Sequence, residues 1–157
     1  MKRIFALLAA LLLLSGCGAQ ADNTDKTPVA VDMAALYTKL EGLGLPAMVE
    51  VNADMQLSLY GIESADVVSA KVAISDDGLR ADEVWLIEAV SAEAAARLEG
   101  LAKNRIQQKD DESVTYSPEQ NAIVKKSYLA VEGSYVFFIC SPEVEAMKAA
   151  VEQALGK

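Results

Sequence analysis

The sequence predicts an α+β domain: two ββα units forming a four-stranded antiparallel sheet packed with helices, preceded by N-terminal helices. Three observations predict it. First, Val67 to Ser75 alternates, with Val68, Ala70, Val72 and Ile74 on one face and Ser69 and Lys71 on the other. That is the period of a half-buried strand. Second, VWLIEAV-SAE and YVFFIC-SPE share one pattern, an apolar strand running into a serine and then an amphipathic helix. Third, the segment before the first strand carries helical rather than strand periodicity. Elements of this kind bury their apolar sides by layering helices on a sheet.

Taken in order, Asp32 is placed to cap a helix with Met33, Leu36, Tyr37 and Leu40 on one face. Gly42, Gly44 and Pro46 end it. Met48 to Asn52 is ambiguous. Asp54 caps a short helix through Tyr60, stopped by Gly61. Asp76-Asp77-Gly78 turns the chain into a second strand, Glu83 to Val90, with Trp85, Ile87 and Ala89 on one face. Ser91 caps a helix to about Gln107 with Ala94, Ala95, Leu98, Leu101 and Ala102 as its apolar side. Lys109 to Val114 reads as a charged loop. Ser117-Pro118-Glu119-Gln120 opens a short helix with a serine cap, proline in the first turn and glutamine for a capping box. Tyr128–Val131 and Tyr135–Cys140 flank a hairpin connection at Glu132-Gly133-Ser134. Ser141-Pro142-Glu143 starts the last helix, whose face is Val144, Met147, Ala150, Val151, Ala154 and Leu155, with Gly156 as stop.

The N-terminus carries an address. Lys2 and Arg3 precede an apolar run from Ile4 to Leu14. That run is too short to span a bilayer, which takes ~20 residues, but has the length of a secretory signal core. It ends in Leu14-Ser15-Gly16-Cys17, which resembles the lipobox of bacterial lipoproteins. The resemblance implies removal of residues 1–16 and acylation of the Cys17 thiolate. Two or more acyl chains anchor stably at about 0.8 kcal/mol per buried methylene. Loss of the leader takes the net charge from −9 to −11, because Lys2 and Arg3 are its only charges. Residues 17–31 then form a lipidated cysteine and a polar, Pro-containing tether with a reach of roughly 20 Å. Residues 32–157 form the single α+β domain.

Charge and composition exclude several functions. An acidic chain does not bind nucleic acid, which needs a positive field. An acidic domain is also repelled by anionic headgroups, so the lipid on Cys17, not the surface, is its membrane contact. The chain contains no histidine, which removes Ser-His-Asp and Cys-His catalysis and His-ligated metals. No metal site, cofactor motif or catalytic set is predicted. Asp76-Asp77 belongs to a turn, and Asp110-Asp111-Glu112 lacks the ligand alternation of a calcium loop. With Cys17 acylated, Cys140 has no partner and packs as a small hydrophobe.

The strand Tyr135–Cys140 is apolar on both faces, so both must be covered. Helices directly behind their hairpins cover one side only. The other needs the N-terminal helices (33–43 and 54–60) or a partner protein. In the latter case Leu86, Tyr128, Tyr135 and Phe137 form a binding face.

From about Asp32 to Leu155 the layout resembles small lipoproteins of the domain-of-unknown-function family numbered 4358. The carrying residues are Leu59-Tyr60-Gly61-Ile62, Ala81-Asp82-Glu83-Val84-Trp85, and Gly133-Ser134-Tyr135-Val136-Phe137-Phe138-Ile139 before Ser141-Pro142. The resemblance implies location and fold, and brings no catalytic motif. The functional expectation is a lipid-anchored, extracytoplasmic, non-enzymatic binding or structural module. The alternative is a cell-envelope enzyme using carboxylate and lysine acid–base groups, which requires two or more of Asp66, Lys71, Asp82, Glu88 and Asp110 in one cleft.

Overall fold

The computed structural model describes residues 30–157. The leader 1–16, the lipobox Leu14-Ser15-Gly16, Cys17 and the tether up to residue 29 lie outside the described residues. The elements are α1 (Met33–Gly42), β1 (Met48–Glu50), α2 (Ala53–Tyr60), a single turn of 3-10 helix (Ser64–Asp66), β2 (Val67–Ser75), β3 (Glu83–Ala89), α3 (Ala92–Tyr116), α4 (Pro118–Val124), β4 (Tyr128–Glu132), β5 (Tyr135–Cys140) and α5 (Val144–Ala154).

The sheet has five strands in the order β1-β2-β3-β5-β4, with every neighbour antiparallel. The two ββα units are β2-β3-α3 and β4-β5-α5, joined through β3 and β5. The fifth strand corrects the expected four. Met48, Val49 and Glu50 pair with Ser75, Ile74 and Ala73. Three residues are too few to show an alternation, so tertiary pairing, not local pattern, makes this strand.

The β4–β5 hairpin turns through Gly133, whose φ of 61° sits in the left-handed region that a tight connection demands. In β2 the ladder shifts between Val67 and Ser69. This bulge leaves Val68 exposed and puts Val67 against the core in its place. Asn52, not Asp54, caps α2, accepting from the Met55 amide at 3.0 Å.

The helix α3 corrects a second expectation. It runs through the charged stretch to Tyr116 instead of ending near Gln107. The Gln107 amide donates to Asp111 at 2.8 Å and the Gln108 amide to Glu112 at 3.0 Å. Such i,i+4 pairs support helix where no apolar stripe does.

The helices of the two units lie on opposite faces, not the same one. Cross-strand partners share a face, and Trp85 pairs with Phe138 while Leu86 pairs with Phe137. Ala89, two residues before Ser91, therefore points to the Trp85 face, and α3 follows it there with Ala94, Ala95, Leu98 and Ala102. Ile139, two residues before Ser141, points to the Phe137 face, and α5 follows with Val144, Met147, Ala150 and Val151. Each serine turns its helix by the same local rule, but the rule is read in opposite phase. Among the predicted helix starts, Ser91 accepts from the Ala94 amide, whereas Ser141 bonds the Glu143 amide just ahead of α5.

The first core thus lies between the sheet and α3, with Val51, Ile62 and Val124 contributing. Three alanines of α3 make room for the large rings of Trp85 and Phe138, which meet edge-on at 5.5 Å. The second core lies between the sheet and α5, completed by Leu36, Tyr37 and Leu40 of α1. Cys140 is buried in the first core, and burial pushes its thiol up.

Candidate functional site: the cleft at the end of the long helix

Length creates this site. The 25 residues of α3 extend about 37 Å at helical rise. The seven residues of β3 extend only about 23 Å. Running back along the sheet from Ser91, α3 reaches the level of Glu83, at the start of β3, with Arg105 and Lys109. Residues beyond Lys109 project past the sheet.

Glu83 fixes that crossing point. Its carboxylate is fully buried and accepts four groups. Trp85 Nε1 donates at 2.9 Å, Arg105 Nε at 3.0 Å, Arg105 Nη2 at 2.9 Å and Lys109 Nζ at 2.8 Å. Burial alone would push the carboxyl up, but Lys109 and Arg105 outweigh it and hold Glu83 below the usual carboxylate range. The Arg105 guanidinium also lies 5.4 Å from the Tyr60 ring centroid, and Tyr60 packs on Trp85 at 4.9 Å. A buried charge this fully satisfied acts as a peg for α3.

Beyond the peg, α3 hands over to α4 at Ser117. Its amide donates to Ser113 O, and its hydroxyl accepts from the Gln120 amide. Asn121 bonds the Asp110 side chain at 2.6 Å and Ser113 Oγ at 3.1 Å, locking the two helices together. The Gln120 side chain does not close the expected capping box. Its Oε1 accepts from the Ala81 amide at 2.8 Å and ties α4 to the β2–β3 loop.

Between that loop and the projecting helix lies a cleft of about 450 Å³. Leu79 and Arg80 form one wall, Lys109, Glu112 and Tyr116 another, and Gln120 and Val124 the third. Leu79 is 85% and Tyr116 89% exposed. A second cleft of about 360 Å³, beside α2 and the bulged end of β2, is lined by Gln56, Ile62 and Val67 among others.

The residues expected to form a binding face are interior. Leu86 and Phe137 are fully buried and Tyr135 nearly so, under α1 and α5. Tyr128 is half-buried at the edge of the same core, with Lys148 5.9 Å from its ring centroid. Because α5 follows the opposite phase, this face is filled by the chain itself and is not an open groove. The Tyr135 hydroxyl accepts from the Val31 amide at 3.3 Å, fastening the start of the domain.

The acid–base groups of the enzyme alternative do not converge. None of Asp66, Lys71, Asp82, Glu88 and Asp110 lines either cleft. Asp66 takes a two-pronged bond from Arg97, whose hydrogen bonds hold its carboxyl low. Lys71 pairs with Glu50, Asp82 with Arg80, and Asp110 with Lys125, while Glu88 accepts from Ser69. Among the described residues no group of three or more acidic or thiol side chains is placed to hold a metal ion. No described helix is long and apolar enough to cross a membrane.

The sequence reading missed Glu83, Arg105, Lys109 and Tyr116 as a set. One signal was present: Arg105, Lys109, Glu112 and Tyr116 share one helical stripe once the charged run is taken as helix.

No match to a curated protein or to a solved structure reaches significance. A family model does match, over residues 42–141, which span all five strands and the helices α2, α3 and α4. That family is described as Domain of unknown function (DUF4358), and the chain belongs to it.

Proposed function

We propose that this chain is a non-enzymatic binding module, tethered to the extracytoplasmic face of a bacterial membrane through acyl chains on Cys17. The observation that carries the binding role is the cleft with Leu79 and Tyr116 at its mouth. Two large side chains held almost wholly in water over a pegged scaffold bury little surface in the fold, which favours contact with something else. The cleft also lies wholly inside the segment matched by the family model. Support for the tether is the ordered series of basic start, short apolar core and Leu14-Ser15-Gly16-Cys17. The charge of −10 on residues 30–157 supports a domain that stands off an anionic surface.

The tether is tested by growing cells that express the full chain with an alkyne fatty-acid analogue. Label on the protein and its recovery with membranes are expected, both lost in Cys17→Ala. An unlabelled wild-type chain, or a Cys17→Ala chain that keeps its label, overturns the anchor.

A further inference from the structure

We infer that the open edge of β2, from Val67 to Lys71, takes an extended segment of a partner protein as an added strand, one that alternates apolar with polar side chains. This surface is separate from the cleft at the end of α3, which lies at the other end of β2 beside the β2–β3 loop.

The edge is open because of how the chain leaves it. β1 pairs only with Ala73, Ile74 and Ser75. Beyond it, the Val51 amide donates to Val72 O at 2.9 Å. Gln56 Nε2 then takes the Val51 carbonyl at 2.7 Å, and Asn52 caps α2, so the chain turns away. It rejoins the sheet only after the 3-10 turn Ser64–Asp66. Among the described residues no strand pairs with Val67–Lys71 on that side, although β3 pairs along the other side of the same stretch. The Val72 carbonyl faces β1, so the amide and carbonyl of Ala70, two residues back, face the open edge. Backbone groups held in this way are a template for a further strand.

The second cleft, of about 360 Å³, follows this stretch, lined by Val51 where β1 ends and by Val67, Ser69 and Ala70 of the edge itself. Its two sides differ, and the difference sets the pattern of the occupant. On the Trp85 face, Val51 and Ile62 belong to the first core, with Val67 and Ala70 packed against it. On the Phe137 face, Ser69 bonds Glu88 and Lys71 pairs with Glu50. An added strand alternates its side chains between the two faces. Its apolar residues therefore meet Ile62 and Val67, and its polar residues meet the row from Ser69 to Lys71. Backbone bonding, not charge, selects such a segment. A second copy of this chain meets its own like charge, −10 on residues 30–157.

The test uses the full chain in neutral detergent. By amide exchange, the Ala70 N–H should exchange about 100-fold faster than the Lys71 N–H, which faces β3. An Ala70 amide as slow as that of Lys71 means a closed edge and overturns the inference. The probe is a fluorescent peptide alternating valine with threonine, followed by anisotropy, and its binding should slow Ala70 exchange. In an antiparallel strand continuing the line of β1, a residue on the Trp85 face aims its amide at β2, as Val51 does. N-methylation of the valine amides should therefore abolish binding, and N-methylation of the threonine amides should spare it. Equal effects of the two, or no binding by the unmethylated peptide, overturn strand addition. Both comparisons use the wild-type chain. Ala70→Pro removes the outward amide at a position where a sheet edge tolerates proline. It should weaken the peptide about tenfold or more, with the fold checked by circular dichroism. A dimer in sedimentation that Ala70→Pro abolishes overturns the inference in favour of self-pairing.

Discussion

The two faces of the sheet are built differently. On the Phe137 face, α1 and α5 close over Leu86, Phe137 and Ile139. On the Trp85 face, α3 closes over Ile87 and Phe138 and also meets a buried carboxylate gripped by two of its cations before running on to Tyr116. The first arrangement seals a surface. The second seals a surface and also sets where a helix stops touching the sheet, which is how the cleft arises. The family match respects this division: α3 and α4 lie inside it, whereas α5 and nearly all of α1 lie outside. Apolar packing supplies stability on both sides, and the Glu83 contact is one of the polar contacts that set the position of the cleft.

The largest expected effect tests whether both faces are true cores. Phe137→Ala and Phe138→Ala each remove a fully buried ring, and each should cost about 3–5 kcal/mol in urea unfolding. A loss below about 1 kcal/mol for Phe137→Ala would mean that α1 and α5 do not pack on that face as described, because the ring would then leave no cavity.

A smaller effect, confined to one face, belongs to Glu83. Glu83→Gln leaves Arg105 and Lys109 facing a neutral group, at a cost of ~3 kcal/mol. Amide exchange should quicken from Lys109 to Tyr116 while α5 keeps its protection. The acid limb gives the sign. Because the folded Glu83 pKa is lowered, its contribution is present above the unfolded value of about 4.3 and is lost as pH falls through the folded pKa. Wild type and Glu83→Gln should therefore differ most at neutral pH and converge in acid. A gap between them that stays constant down to acid pH would show that the carboxylate charge contributes nothing to folding.

This contrast also explains what was legible in the sequence. Trp85, Ile87 and Ala89 declare their shared face by alternation, and Leu36, Tyr37 and Leu40 by helical spacing, because both signals are local. The peg is not local: Arg105 and Lys109 stand 22 and 26 residues from Glu83. Without that contact, the run from Lys109 to Val114 has no apolar period and reads as loop. Strand β1 was illegible for a similar reason, being defined by its register with β2. The face taken by α5 was legible in principle. It follows from the phase of Ser141 relative to Ile139, but only once Trp85 is known to pair with Phe138 rather than with a neighbour.

The smallest expected effect separates fold from function most sharply. Leu79→Ser and Tyr116→Ser alter side chains that are almost wholly in water, so neither should move unfolding by more than about 0.5 kcal/mol. Phe138, a few residues from the same end of the sheet in its core, should be intolerant, whereas these two should be free to change if folding alone constrains them. A loss above about 1 kcal/mol for either would mean that the side chain is folded back against the domain, since only buried contact produces such a cost. Leu79 and Tyr116 would then belong to the packing of α3 against the β2–β3 loop, and the cleft mouth would be closed. Neutral stability leaves both side chains available for contact, and places the cost of their removal in binding instead of folding.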